Sequence, residues 1–410
     1  NKQVTAQNQF TGASGPDMNK NSFFAVIAES FRKNIRQYTM VIALITIWII
    51  FSFAAGKVFM TPRNLSNLFM QTVPTAIVAV GMTLIIVTGN IDLSVGAVAG
   101  FTGAVAAVLQ YKYAWDTGYV ILAALGVGLL IGLWHGFWIA HQKVPAFIVT
   151  LASMLALRGA ILGVTGGETV GPLADSFKAI GQSYLPKIFL KDANFNDASL
   201  ILAIISIALF VFFDWKKRSS RIKYGFAVLS APLQTARTLV LALVIAAFFS
   251  IMIFYQGVSY AVLLLMAIVL LFTFIAENTV FGRQLYAIGG NADAARLSGI
   301  NIVSRLMWLY VIFGILTAVG GIVLTARLNA ATTSAGTNME LDAIAAAVIG
   351  GTSLLGGEGT IIGAVVGALI MASLDNGMSL MNMDITYQYI VKGMILLFAV
   401  WVDIATRRKS

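Results

Sequence analysis

Twelve stretches of mostly apolar residues constrain this chain more than any other feature. They lie at 39–56, 70–88, 92–111, 118–140, 146–165, 198–213, 236–254, 258–276, 304–326, 341–352, 359–375 and 387–404. About 30 Å of hydrocarbon takes about 20 residues of helix to cross. Most of the stretches approach that length, and the expected fold is an all-α polytopic membrane protein. It should carry about 10–12 transmembrane helices, some broken or short. The composition agrees, with 59% hydrophobic and 11% charged residues, where a soluble domain carries about a quarter charged. The tenth stretch is too short to cross alone. It reads as half of a broken helix, with "GGTSLLGGEG" (350–359) as the break.

Lys and Arg set the expected orientation. If every stretch crosses and the N-terminus is cytosolic, most of the 27 basic residues fall on the cytosolic side. They include Lys143, the run "DWKKRSSRIK" (214–223), Arg283, Arg296, Arg305 and the C-terminal Arg407, Arg408 and Lys409. Both termini are therefore expected to be cytoplasmic. Residues 1–38 read as a polar cytosolic tail, disordered in part, with 23–38 as an amphipathic helix on the membrane. Residues 39–410 form the membrane domain, with a mid-sized cytosolic loop near 277–304. The longest outer loop, 166–197, reads either as a surface cap or as a landing surface for an external partner.

Polar residues interrupt the apolar pattern in two places. Asn90, Asp92 and Ser94 lie in one break; Thr352, Ser353 and Glu358 lie in the other. Charge inside a bilayer is costly and usually faces a cavity or a partner. Unwound backbone is tolerated there only where protein or water satisfies it. These residues are therefore candidates for a transport pathway or gate. The other reading is capping, in which Asn90 or Asp92 caps a helix starting near Leu93. The segments 87–108 and 348–369 also echo one another, each placing a Gly-rich polar break before a helix of small residues. Such an echo fits two related halves, and it fits chance similarity between Gly/Ala-rich helices.

Two cations fall inside apolar stretches, Arg158 and Lys392. Asp92, Glu340, Asp342 and Asp375 are their nearest counterparts in number and depth, so internal ion pairing is expected. A substrate contact is the alternative for Arg158, and snorkelling toward the interface is the alternative for Lys392. In the loop after residue 277, "NADAARLSGI" (291–300) has the signature of a short helix. Asn291 is the N-cap, Ala294, Ala295 and Arg296 follow, and Gly299 stops it. It reads either as a helix for another protein to grip or as an ordinary linker.

Several chemistries are excluded or unsupported. There are no cysteines and only two histidines, so disulfides and thiol catalysis are out and a metal centre has little support. The chain has no GxxxxGK[ST] phosphate-binding loop, no HExxH and no Ser–His–Asp arrangement. An intramembrane enzyme therefore has little support, and ATP, if it drives anything here, would bind another subunit. The net charge of +10 fits a membrane protein with a basic inner side, and no nucleic-acid partner is expected.

Four segments together carry a family resemblance. They are "GNIDLSVG" (89–96), "KVPAFIVTLASMLALRG" (143–159), "FGRQLYAIGGNADAARLSGINI" (281–302) and the long run 340–379 that begins "ELDAIAAAVIGG". From about Phe59 onward the chain resembles the permease subunits of bacterial ABC sugar importers of the ribose/xylose type. Its length and the extra basic segment near 214–235 are closest to the D-xylose and multiple-monosaccharide members. The resemblance implies a homodimeric pore in the inner membrane that moves a monosaccharide by alternating access. It implies a transport subunit that is not an enzyme and holds no cofactor of its own, with ATP and Mg on a separate ATP-binding subunit of two tandem domains. It also implies a periplasmic sugar-binding protein, and coupling to the ATPase through Asn291, Ala294, Ala295, Arg296 and Gly299. Another cargo, such as a nucleoside or a signalling furanose, is the alternative within the family. A proton-coupled secondary transporter is the alternative outside it.

Overall fold

In the computed structural model the described residues are 35–226 and 228–407; the side chains of 35–38, 402, 403 and 405–407 are not described. The expected tail therefore lies almost wholly outside the described residues, as do Arg408 and Lys409.

The chain is a bundle of helices. In order they are α1 (Ile35–Ala54), α2 (Pro62–Val87), α3 (Val95–Tyr111), α4 (Thr117–Gly136, prolonged by a π turn over Phe137–His141) and α5 (Ala146–Thr165). Next come α6 (Asp175–Gln182), α7 (Asp197–Lys223), α8 (Ala231–Ile253), α9 (Tyr260–Asn278), α10 (Val280–Gly290) and α11 (Ala292–Leu297). The last four are α12 (Ile302–Leu328), α13 (Met339–Ile349), α14 (Ile361–Leu380) and α15 (Ile385–Arg407). Among the described residues, eight helices are long and apolar enough to cross a membrane: α2, α4 with its π turn, α5, α7, α8, α9, α12 and α14. Apolar segments of α1, α3 and α15 are shorter.

Two ends of the bundle can be distinguished, one bearing α11 and the other bearing α6. α2 and α12 form the antiparallel centre, and most of α2 is buried. Small residues let the backbones approach. Gly81 of α2 lies against Phe313 and Leu316 of α12, and Gly128 and Gly132 of α4 lie against Gly314 and Tyr310. The packing pattern repeats with inverted direction. α3 and α4 pack on α12, while α13 and α14 pack on α2. The segments α2–α5 and α12–α15 thus behave as two inverted halves, each with a full helix, a break, a short helix and two more helices.

The depth of each break follows from the contacts. Val87 ends α2 near the level of Leu309, by extension of the Gly81–Phe313 contact. Ala99 and Gly103 of α3 pack on Gly321 and Thr325 of α12. Val95 therefore starts about two turns, or about 12 Å, farther toward the α6 end. The 88–94 segment climbs from the α11 end to mid-depth, and α3 completes the crossing. In the other half, Gly336 and Glu340 meet Gly96, and Ala335 meets Gly100. α13 therefore begins at mid-depth beside the start of α3. It runs the opposite way, reaching the α11 end where Gly350 packs on Gly363.

Three sequence expectations change. The helix expected from residue 92 starts at Val95. The broken tenth helix has its in-membrane break before it, at 329–338, and 350–359 is the turn into α14. The structural counterpart of 88–94 is therefore 329–338, not the echoing 350–359. The basic run 214–223, expected in a loop, continues α7 to Lys223. It contains no Gly or Pro, its Lys and Arg are good helix formers, and Gly225 at φ +72° ends the run as glycine readily does. The α7–α8 pair is tied at that end by Asp214, which accepts from Gln234 Nε2 and Thr238 Oγ1 at 2.6 Å each.

Candidate functional site

Asp92 is 1% exposed. Its Oδ1 accepts from the Ser94 N–H at 2.8 Å and from Ser94 Oγ at 2.6 Å. This closes the turn two residues ahead, an Asx turn, where the sequence left open a capping role for Asn90 or Asp92 and a place in the pathway or gate. The α3 N-cap is Ser94, with no side-chain cap bond. Leu93 N–H donates to Thr150 Oγ1 of α5 at 3.2 Å, and Asn90 Nδ2 donates to Thr88 Oγ1 at 3.0 Å. The outer oxygen of Asp92 lies 3.7 Å from His135 Nδ1, and the His135 ring meets Tyr310 edge-on at 6.3 Å. Asp92, Ser94 and Asn90 thus serve the local turn, and a carboxylate at the positive end of α3 is favourable.

Glu340 is the counterpart in the second half. It sits in the first turn of α13, and its carboxylate touches the space where a side chain on Gly96 would project. One carboxylate thereby faces the starts of both short helices. Its Oε2 is buried without a hydrogen-bond partner.

Arg158 does not form the expected ion pair. Its Nη1 and Nη2 donate to the carbonyls of Ala335 and Gly336, both at 2.8 Å. Those carbonyls belong to the non-helical segment before α13, and the Gly336 carbonyl also accepts from the Met339 N–H at 3.3 Å. A planar guanidinium with parallel N–H groups suits two adjacent acceptors. Lys392 does form ion pairs, with Asp342 at 2.8 Å and Asp375 at 3.1 Å. It bridges α13, α14 and α15, so snorkelling is not its arrangement.

Thr352 and Ser353 are fully buried, while Glu358 is exposed. Ser353 N–H donates to the Glu358 carbonyl at 2.9 Å, and Ser353 Oγ accepts from Leu355 N–H at 3.1 Å. Gly357 N–H donates to the Val87 carbonyl at 2.8 Å. The 350–359 turn therefore packs against the base of the 88–94 break, but it does not reach Asp92.

The 277–304 loop is more structured than the sequence suggests. Thr279 caps α10, accepting from Gly282 N–H at 3.1 Å. Asn291 caps α11 as expected, accepting from Ala294 N–H at 2.9 Å. Gly299 has φ +84° directly after the helix. Ala294 and Arg296 are exposed, Leu297 is 89% exposed, and Ala295 faces inward. The end of α10 is what fastens this piece. Gly289 packs on the Val87 carbonyl and Gly356, Gly357 packs on Gly290, and Tyr286 Oη donates to the Gly359 carbonyl at 2.8 Å. These glycines and Tyr286 were not singled out from the sequence, although the paired glycines at 289–290 were a signal of close approach.

A family model described as "Branched-chain amino acid transport system / permease component" matches residues 64–400. The xylose transport system permease protein XylH of Escherichia coli (strain K12) is 45% identical over 380 residues, covering 92% of this chain and 94% of that protein. XylH of Haemophilus influenzae is 42% identical over 376 residues, 92% of this chain and 98% of that protein. The ribose import permease protein RbsC of E. coli (strain K12) is 35% identical over 345 residues, 84% of this chain and 87% of that protein. No solved structure matches the chain.

Proposed function

Because the chain belongs to the family of transport-system permease components that includes these xylose and ribose permeases, we propose that it is the membrane subunit of an ATP-driven ABC importer that carries a monosaccharide. It is a multi-pass protein of the bacterial inner membrane. Two copies form the pore, a tandem-domain ATPase carrying ATP and Mg docks on the α11 end, and a periplasmic sugar-binding protein delivers cargo to the α6 end. Both termini then lie in the cytosol, consistent with the basic residues that gather there.

The observation that carries this reading is the seat of the α10–α11 turn. Its exposed face offers Ala294, Arg296 and Leu297 to a partner, while its base packs on Val87 and on Gly356–Gly357. A push on α11 is thereby delivered to the ends of α2 and of the 350–359 turn, one from each inverted half. Asn291 and Gly299 fix the start and end of the lever, and Ala295 anchors it. Arg158 and the turn residues Asn90, Asp92 and Ser94 hold the two breaks in shape. Thr352, Ser353 and Glu358 shape the inner gate.

The test is uptake of labelled monosaccharide into vesicles that contain the permease, its ATPase and the binding protein. Arg296→Glu is expected to cut both ATP-driven uptake and sugar-stimulated ATP hydrolysis at least tenfold while leaving expression unchanged. Unchanged uptake and stimulation would remove the coupling role. Uptake driven by a pH gradient without the ATPase would overturn the importer reading itself.

A further inference from the structure

The unwound segment 329–338 leaves part of the α6 half of the bundle without a helix, and a cavity of about 200 Å³ occupies that place. Its polar wall is made by Gln71 and Thr75 of α2, Arg327 of α12, Thr337 of the break, Asp342 of α13 and Asp375 of α14. Leu324 and Met371 supply an apolar wall. The volume is below the roughly 300–1,000 Å³ of sites for drug-sized ligands, which suits a ligand the size of one sugar ring.

The chemistry of the wall narrows the ligand further. Arg327 offers only donors, the two carboxylates offer only acceptors, and the Thr and Gln side chains offer both. A polyol needs that mixture, because each hydroxyl donates once and accepts as well. Charge narrows it again. Asp342 and Asp375 share Lys392, and no ion-pair partner is described for Arg327, so the four groups sum to zero. A cation or an anion would leave one charge unmatched, whereas a neutral ligand leaves the balance intact. The carboxylates are also held in place by Lys392 on the far side, with lone pairs left for the cavity. A ring face of C–H groups has Leu324 and Met371 to lie against.

We propose that this cavity is a binding site for one neutral monosaccharide inside each copy of the chain. In it Asp342 and Asp375 accept from sugar hydroxyls, and Arg327 and Gln71 donate to them. The proposal rests on the sugar-importer reading and adds where in the chain the sugar rests. A second, smaller cavity shares Asp342 and Met371 and is lined by Lys392 and Tyr389. The Asp342–Lys392 pair is therefore part of the partition between the two cavities.

The natural absence of cysteine makes a direct test available. In the complete transporter in lipid nanodiscs, Thr337→Cys is expected to react with neutral methyl methanethiosulfonate at least threefold more slowly in saturating D-xylose or D-ribose. D-xylonate, the acid of similar size, should give no protection. Leu355→Cys, exposed at the α11 end, should ignore both. Adding Arg327→Gln to Thr337→Cys should abolish the protection. No protection by either sugar, in a Thr337→Cys transporter that still takes up that sugar with ATP, overturns the site and leaves the importer reading standing. Equal protection by D-xylonate overturns the neutral-ligand assignment. If Thr337→Cys does not fold, Thr75→Cys on the opposite wall gives the same readout.

Discussion

The break at 88–94 is closed by its own side chains, whereas the break at 329–338 is held from across the bundle. In the first, Asp92 accepts two bonds from Ser94, and Leu93 N–H adds one bond across to Thr150 Oγ1 of α5. In the second, Arg158 reaches from α5 to two main-chain carbonyls 177 and 178 residues away in sequence. The first break leaves Asp92 and Ser94 sealed from solvent. The second borders a polar cavity. Two inverted halves that share a plan thus divide the work: one break is a packed joint, and the other makes room. The difference traces to what satisfies the backbone. The first break is satisfied largely by its own side chains, while in the second a guanidinium from α5 holds the carbonyls of a turn that packs on Gly96 and Gly100.

Removing the bridge should produce the largest effect. Arg158→Met keeps the apolar stem but removes both bonds, leaving the Ala335 carbonyl unmatched and the Gly336 carbonyl with only the Met339 N–H at 3.3 Å. Bonds from a charged donor contribute about 1.5–3 kcal/mol each, so a loss of about 3 kcal/mol or more is expected. Thermal unfolding in detergent should show it, and Arg158→Lys should recover only part because an ammonium lacks the planar fork. A melting point unchanged in Arg158→Met would mean that something other than Arg158 holds the second break. Gly96→Ala comes next. The new methyl would meet Glu340 Oε2 and the Gly336 carbonyl, and overpacking of this kind costs about 1–3 kcal/mol. Combining it with Glu340→Ala removes one of the two obstructions and should restore part of the stability. If the double variant is no better than Gly96→Ala alone, the start of α3 is not pressed against Glu340.

The contrast between the breaks also explains what could be read in the chain. The apolar lengths and the caps are local, so most crossing helices, the Asn291 cap and the Gly299 stop were all legible. The 88–94 break was visible as a polar interruption between apolar runs. The 329–338 break was not, because "NAATTSAGTN" has the composition of an external loop. It lies at membrane depth because Arg158 satisfies its carbonyls and because Gly96 and Gly100 let its backbone approach. Arg158 lies 177 and 178 positions from the carbonyls it holds, and the two glycines lie farther still. Asn329 and Asn338, both at positive φ, bound the segment, but asparagine is as common in ordinary turns. The same limit applies to Arg158 itself. An intramembrane arginine calls for a partner, and carboxylates are the partners that sequence makes visible, whereas unpaired carbonyls are not.

The smallest effect is expected from Asp92→Asn, and it sharpens the comparison most. Asparagine keeps the Oδ1 acceptor, so both bonds from Ser94 can persist. What goes is the negative charge at the start of α3, a contribution of about 0.3–1 kcal/mol at a helix end. A packed joint should lose about 1 kcal/mol in detergent melts and keep ATP-driven uptake within about twofold, since a loss of that size leaves most copies folded. Full expression and an unchanged melting point with uptake abolished would give the opposite answer. The carboxylate would then act in the transport cycle, and the first break would be as much a moving part as the second.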